Sequence, residues 1–412
     1  MNTEPDPSSD LFAVLTAIAA REGLPAAFTH LAGSLTARRR WHALFDARLL
    51  EARHRLGVPL SGDLSTVSPA ARAAVEEASL AACREVGWPL LEEGRVAAGW
   101  MYLRAAAEPA EVAAALAKVA DRLASPADGS DAADDESLQE LIQVALWEGV
   151  DPALGLRILL ARSGTCNTIT AYEQAVSRLP AARQQPAARL LVEHLHRHVA
   201  ESLAGDLARR GLRADDSVPA GAAPIAALLA AANGLDDGSI HVDVSHLQSV
   251  LRIARVCDDR PSIERAWDLA GYACRLPTEV VYAGEPPFDE VGPASRRFFG
   301  AQLGHDVDAS LAFFRRAAIE AKVAESGTLP ADVLVLLLHR LGRATEALHA
   351  ALDRPADEGM PSALSATGML PSLVELAITA GDHEALRAAC RRHGDEITFM
   401  ASLAAERAAA AR

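Results

Sequence analysis

The 412-residue sequence predicts an all-α protein of stacked antiparallel helix hairpins, and three observations carry that expectation. Alanine and leucine dominate, aromatic residues make up only 4%, and runs of β-branched residues are scarce, a balance that favours helix packed closely on helix. Apolar residues recur at three- and four-residue spacing, the period of a helix with one buried face. The periodic runs are closed by glycine and proline, the residues that end helices. With 50% hydrophobic residues, the chain can bury a core large enough for two or three units. Strand is expected only in short pieces near Ile240 to Val242 or Val280 to Tyr282.

In chain order, residues 1–10 form a tail in which Ser9 or Asp10 can cap a helix starting at Leu11 and ending at Gly23. A second helix starts at Pro25. A third, RRWHALFDARLLEARHRLG, closes at Gly57 with Trp41, Leu44, Phe45, Leu49 and Leu56 as its inner face. The run from Ser68 is expected to break at Gly87 and Pro89 before GRVAAGWMYLRAAAE. These elements make an N-terminal helical unit, residues 1–124. SPADGSDAADDES, residues 125–137, reads as an acidic, exposed linker, because it holds almost no large apolar side chain. Residues 138–275 make a central helical unit. LPTEVVYAGEPPFDEVGP, residues 276–293, is non-helical yet carries Val280, Val281, Tyr282 and Phe288, so an ordered segment packed on the body is expected, as a connector or as a binding edge. Residues 294–412 complete a C-terminal helical unit.

A glycine followed by a helix with a large residue five to seven positions on occurs four times. Gly94 leads to Trp100, Gly304 to Leu311, Gly342 to Leu348 and Gly381 to Leu386. This pattern resembles the turn and second helix of tetratricopeptide-like hairpins, in which a small residue lets paired helices approach and a bulky one fills the gap. The resemblance implies a curved α-solenoid with a concave face. It carries over no catalytic residue.

A formal charge of −15, with arginines scattered among acids, excludes the concentrated positive surface that general nucleic-acid binding needs. The cluster Arg38 to Arg40 reads as a solvated helix face. Five cysteines without a CxxC, an acidic N-terminus and no long uncharged apolar run point to a soluble, cytoplasmic protein without membrane spans. Nucleotide-binding, serine-hydrolase, zincin and EF-hand signatures are lacking.

The densest polar chemistry lies between Glu193 and His246, which hold five of the 13 histidines. Ala187 to Arg209 is amphipathic, with Leu191, Leu195, Val199, Leu203 and Leu207 in register. If Leu195 marks the centre of the buried face, His198 lies about 60° and Asp206 about 20° from it, with His194 one turn from His198. Asp243 and His246 fall within about 40° of the inner face of the next helix, Gln248, Arg252 and Arg255 outside it, and IHVD places His241 at the rim. In GTCNTITAYEQAVSRL, Cys166 and Glu173 flank the apolar line Ile169, Tyr172 and Val176.

Imidazoles at i and i+4 with a carboxylate from a second helix fit a divalent transition metal such as Zn, Fe or Mn. The expected ligands are His194, His198, His241, Asp243 and His246, with Glu173 as general base, Asp206 as a further ligand or orienting group, and Cys166 as an alternative nucleophile paired with a histidine. The competing reading gives each group a local structural role, with Asp243 as an N-cap, Asp206 as a partner of an arginine, and a buried histidine bonded to a carbonyl. Two functions follow. One is a helical-repeat enzyme acting on a small molecule at a metal site; the other is a non-catalytic scaffold that binds a protein or peptide on its concave face. Convergence of the histidines separates them.

Overall fold

A computed structural model describes residues 7–124, 131–212, 224–231, 239–355 and 362–410, and among them every regular element is helical. The segments at Ile240 and Val280 contain no strand; Thr278–Val280 is a single 3₁₀ turn. The chain forms two compact units, Met1–Ile158 and Leu159–Arg412. Residues 125–130 of the acidic segment lie outside the described residues, and Asp131 already opens a helix. The units part well beyond that segment, because Leu154 and Ile158 still pack into the core of the first.

The first unit comprises α1 (Pro7–Glu22), α2 (Leu24–Ala37), α3 (Trp41–Arg55), α4 (Pro69–Glu92), α5 (Val96–Leu103), α6 (Pro109–Ala124) and α7 (Asp131–Ile142), which ends in a π turn at Gln143–Trp147. Gly87 and Pro89 do not break α4. A Cβ on Gly87 would sit 2.6 Å from Leu103 Cγ, and one on Gly99 2.9 Å from Leu91 N. The two glycines are therefore where α4 and α5 cross at close range, with Leu90, Leu91, Val96 and Leu103 sealed around them.

α8 (Pro152–Ala171) carries the chain into the second unit and is kinked at Gly164, whose φ is +75°. There a π turn (Tyr172–Val176) is followed by α9 (Ala181–Arg209), α10 (Ile225–Ala231), α11 (Val244–Ile253) with a 3₁₀ turn at Ala254–Val256, and α12 (Arg260–Ala273). α10, α11 and α12 all pack on α9. Next come α13 (Val291–Gln302), α14 (Val307–Glu320), α15 (Val323–Ser326), α16 (Leu329–Arg340), α17 (Ala344–Leu352), α18 (Ala363–Ala366), α19 (Leu373–Ala380), α20 (His383–His393) and α21 (Glu396–Ala410). In this stretch helices pack on close sequence neighbours, α12 on α13, α16 on α17 and α20 on α21 directly, and α14 on α16 and α17 on α19 past one short helix.

The four glycines of the recurring pattern are the turns of such pairs. Gly94, Gly304, Gly342 and Gly381 have φ of +85°, +89°, +70° and +68° and end α4, α13, α16 and α19. That left-handed geometry is open to glycine at little steric expense, and it lets the chain double back within two to four residues. Leu311, Leu348 and Leu386, the large residues expected after three of these glycines, are fully buried.

Candidate functional site

The orientation of α9 decides what becomes of the histidine cluster. Its buried residues, from Ala187 and Ala188 through Val199 and Ala200 to Leu207, centre near Val199, about 40° round from Leu195 by helical arithmetic. That rotation corrects the expected face. His198 is exposed, and His196, on the other flank of α9, is buried at 8% exposure.

His196 Nε2 lies 2.9 Å from Asp268 Oδ2 on α12, a carboxylate only 7% exposed. The same carboxylate accepts the backbone N–H groups of Ile225 at 2.6 Å and Ala226 at 3.0 Å. A buried carboxylate needs donors, and three donors from two further helices bind α9, α10 and α12 at one point.

A second polar chain lies farther along the α9–α12 interface. Asp206 Oδ2 is 2.8 Å from Arg210 and 3.5 Å from His241 Nε2, and Oδ1 accepts from Arg209 at 3.1 Å. Tyr272 Oη accepts the backbone N–H of His241 at 2.8 Å and lies 3.3 Å from its Nδ1. Burial alone would raise the Asp206 carboxyl; hydrogen bonds from Arg210 and His241 outweigh it and hold the group below its ordinary value.

Of the expected site residues, Asp206 and His241 are thus brought together. The others are engaged locally. His194 is half-buried, with Nε2 2.9 Å from Thr165 Oγ1 and its ring stacked 6.3 Å from that of His198. Burial, with His198 and Arg197 nearby, holds its pKa below the usual histidine value. Asp243 caps α11, accepting Ser245 N at 2.8 Å and His246 N at 3.4 Å. His246 is half-buried in that first turn. Glu173 is exposed and paired with Arg252 at 2.6 Å, and Cys166 is exposed. Among the described residues no three His, Cys, Asp or Glu side chains are grouped to hold a metal ion. The expected convergence of His194 and His198 with His241, Asp243 and His246 is therefore corrected: His194 turns to Thr165, His198 is exposed, His241 joins Asp206, and Asp243 is taken up in capping α11.

Sequence reasoning missed Asp268 and Tyr272. Their signal was an i, i+4 polar pair on the apolar side of α12, beside Ile263, Ala266 and Leu269. Arg255 was also missed, since it lies off the inner face of α11. The face it occupies is covered instead by residues 276–293. Phe288 anchors that segment at 2% exposure, and Gln248 clamps the backbone of Tyr282, Nε2 donating to O at 2.6 Å and Oε1 accepting N–H at 3.2 Å. Between the segment and α11 lies a cavity of about 210 Å³, reached by Ser245, Ser249, Arg252, Arg255, Glu285, Phe288 and Val291. Two larger cavities, each about 420 Å³, share Trp267 and His305, whose rings stack at 4.6 Å.

No protein-family model matches this chain, and no curated protein matches it in sequence. The tetratricopeptide-like resemblance accordingly rests on the glycine-turned pairs alone. Among the described residues no helix is long and apolar enough to cross a membrane.

Proposed function

We propose that this chain is a non-catalytic helical-repeat scaffold of tetratricopeptide-like build, which binds a protein or peptide partner along the helices of its second unit. The observation that carries the reading is the recurrence of glycine-turned helix pairs, α13 with α14, α16 with α17 and α19 with α20, in a stretch whose helices pack on close sequence neighbours. Each pair in such a stack buries one face on the next and leaves another face to a partner. The disposition of the polar groups supports the same reading. Asp206, Asp243, Glu173 and the buried His196 are engaged in caps, ion pairs and interhelical bonds, which is the work of stability rather than of turnover.

The test measures two quantities on the purified full-length chain: metal content by elemental analysis, and saturable capture of peptides from a random library displayed on a chip. A defined set of peptides bound by metal-free protein supports the scaffold. Zinc, iron or manganese near one per chain, lost with His194→Ala, would return the metal-enzyme reading to first place.

A further inference from the structure

The cavity under residues 276–293 contains a charge without a hydrogen-bonded partner. Arg255 sits in the turn that ends α11 and is partly buried. Among the described residues no hydrogen bond or ion pair reaches its guanidinium, whereas the other polar groups of α11 that reach the cavity are committed. Arg252 is paired with Glu173 at 2.6 Å and donates to Ser249 at 3.3 Å. Ser245 donates to Asp243 at 2.6 Å, and both ends of the Gln248 amide are taken by Tyr282. Burial, with Arg252 adding to it, pulls the Arg255 guanidinium below its ordinary pKa, while Glu285 opposes the shift. It still stays charged near neutral pH, with five donors to satisfy.

Glu285 reaches the same cavity from the opposite wall, on an exposed turn closed by Gly284 N–H donating to Asp289 O at 2.9 Å. Its carboxylate likewise has no hydrogen bond or ion pair among the described residues. The remaining wall is apolar, built by Phe288, Val291 and Tyr282. Counted together, Arg252, Arg255, Glu173 and Glu285 balance to zero. A dianion such as phosphate would face Glu285 unscreened, and a simple cation would face Arg255. A net-neutral ligand with one charge of each sign meets neither obstacle.

We infer that this cavity binds a small zwitterion, an α-amino acid with an apolar side chain. Its carboxylate lies on Arg255, its ammonium at Glu285, and its side chain against Phe288 and Val291. The guanidinium fork matches a carboxylate with two parallel hydrogen bonds, and a cavity with a few placed polar groups on an apolar wall is the ordinary form of a small-molecule site. This inference is independent of the scaffold reading, since it stands on one cavity.

The experiment is titration calorimetry of the full-length chain with leucine, valine, methionine and phenylalanine. The controls are 4-methylpentanoate, which lacks the ammonium, 3-methylbutylamine, which lacks the carboxylate, and inorganic phosphate. One amino acid of the four should bind at one per chain, with both truncated analogues at least about tenfold weaker, as expected for loss of a charge-assisted contact. Arg255→Gln should weaken the amino acid about tenfold or more and leave the amine unchanged. Glu285→Gln, a change at an exposed residue, should bring the amino acid down to the affinity of the carboxylate analogue. Phosphate or 4-methylpentanoate binding as tightly as the amino acid would overturn the inference, and so would a helical, folded protein that binds none of the four at millimolar concentration.

Discussion

Removal of the Asp268 carboxylate should loosen α10 before anything else. Asp268→Ala leaves His196 and the N–H groups of Ile225 and Ala226 without their acceptor. The two amides belong to the first turn of a helix, where no intrahelical carbonyl is available, and losing such a cap costs about 1 kcal/mol. The stranded, buried His196 adds about 1 to 3 kcal/mol. The expected loss is therefore about 2 to 4 kcal/mol, or roughly 30- to 800-fold in the local opening equilibrium.

Hydrogen exchange followed by mass spectrometry on peptides covering 224–231 reads that change directly. Protection there should fall by this factor in Asp268→Ala, while α4 and α5 in the other unit keep theirs. Asp268→Asn should lose less: an amide oxygen at the Oδ2 position keeps both Ile225 N–H and His196 Nε2–H, while the NH₂ at the Oδ1 position forfeits only Ala226 N–H. In a double-mutant cycle with His196→Ala the losses should overlap by about 1 kcal/mol or more, since the two side chains share one bond. Unchanged protection in Asp268→Ala, or strict additivity in the cycle, would refute the account of this carboxylate as the point that ties three helices.

His196→Ala should lower stability by about 1 to 3 kcal/mol, against less than about 0.5 kcal/mol for the exposed His198→Ala, both read from urea denaturation. Gly87→Ala places a methyl 2.6 Å from Leu103 Cγ and 3.2 Å from the Gly99 carbonyl. Overpacking of about 1 to 3 kcal/mol should then exceed the helix-propensity gain of up to about 1 kcal/mol, and the melting temperature should drop rather than rise. Asp206 is held below its ordinary pKa, so its contribution is complete above that ordinary value and fades as pH falls through the folded one. Asp206→Asn should flatten the acid limb of a stability–pH curve below about pH 4 and leave its neutral plateau lower. His194 is also depressed, so the unfolded chain takes up its proton first; stability should decline as pH falls below about 6.5, and His194→Gln should lessen that decline.

The helical class, the glycine turns and the docked 276–293 segment were all legible, because each depends on local rules of spacing, left-handed backbone and apolar anchoring. Gly94, Gly304, Gly342 and Gly381 stand where the pattern put them. Asp243 took the capping role that its place before α11 suggested. The site was not legible, and the reason is angular. A helix with a broad apolar face leaves its centre uncertain by tens of degrees, and about 40° was enough to exchange His198 for His196. The partner of His196 stands 72 residues away, beyond the reach of any spacing rule. Gly87 misled for a related reason, since a glycine that ends a helix and one that admits a neighbour look alike until the neighbour is known.

That separation also sets an order of events during synthesis. Most helices of the second unit find their packing partner as the next hairpin is made, but α9 presents Leu191, Leu195, Val199 and Leu203 to a surface that includes α12. At about 5 to 20 residues per second, the 72 residues between His196 and Asp268 take roughly 4 to 14 s to emerge. For that interval the part of the stripe that α12 covers stays open while α10 and α11 cover the rest, and it is the natural place for a chaperone to hold the nascent chain. Ribosomes stalled with α9 outside the exit tunnel and α12 still within it should yield chains cleaved in α9 by added protease, whereas chains stalled after α12 has cleared the tunnel should resist.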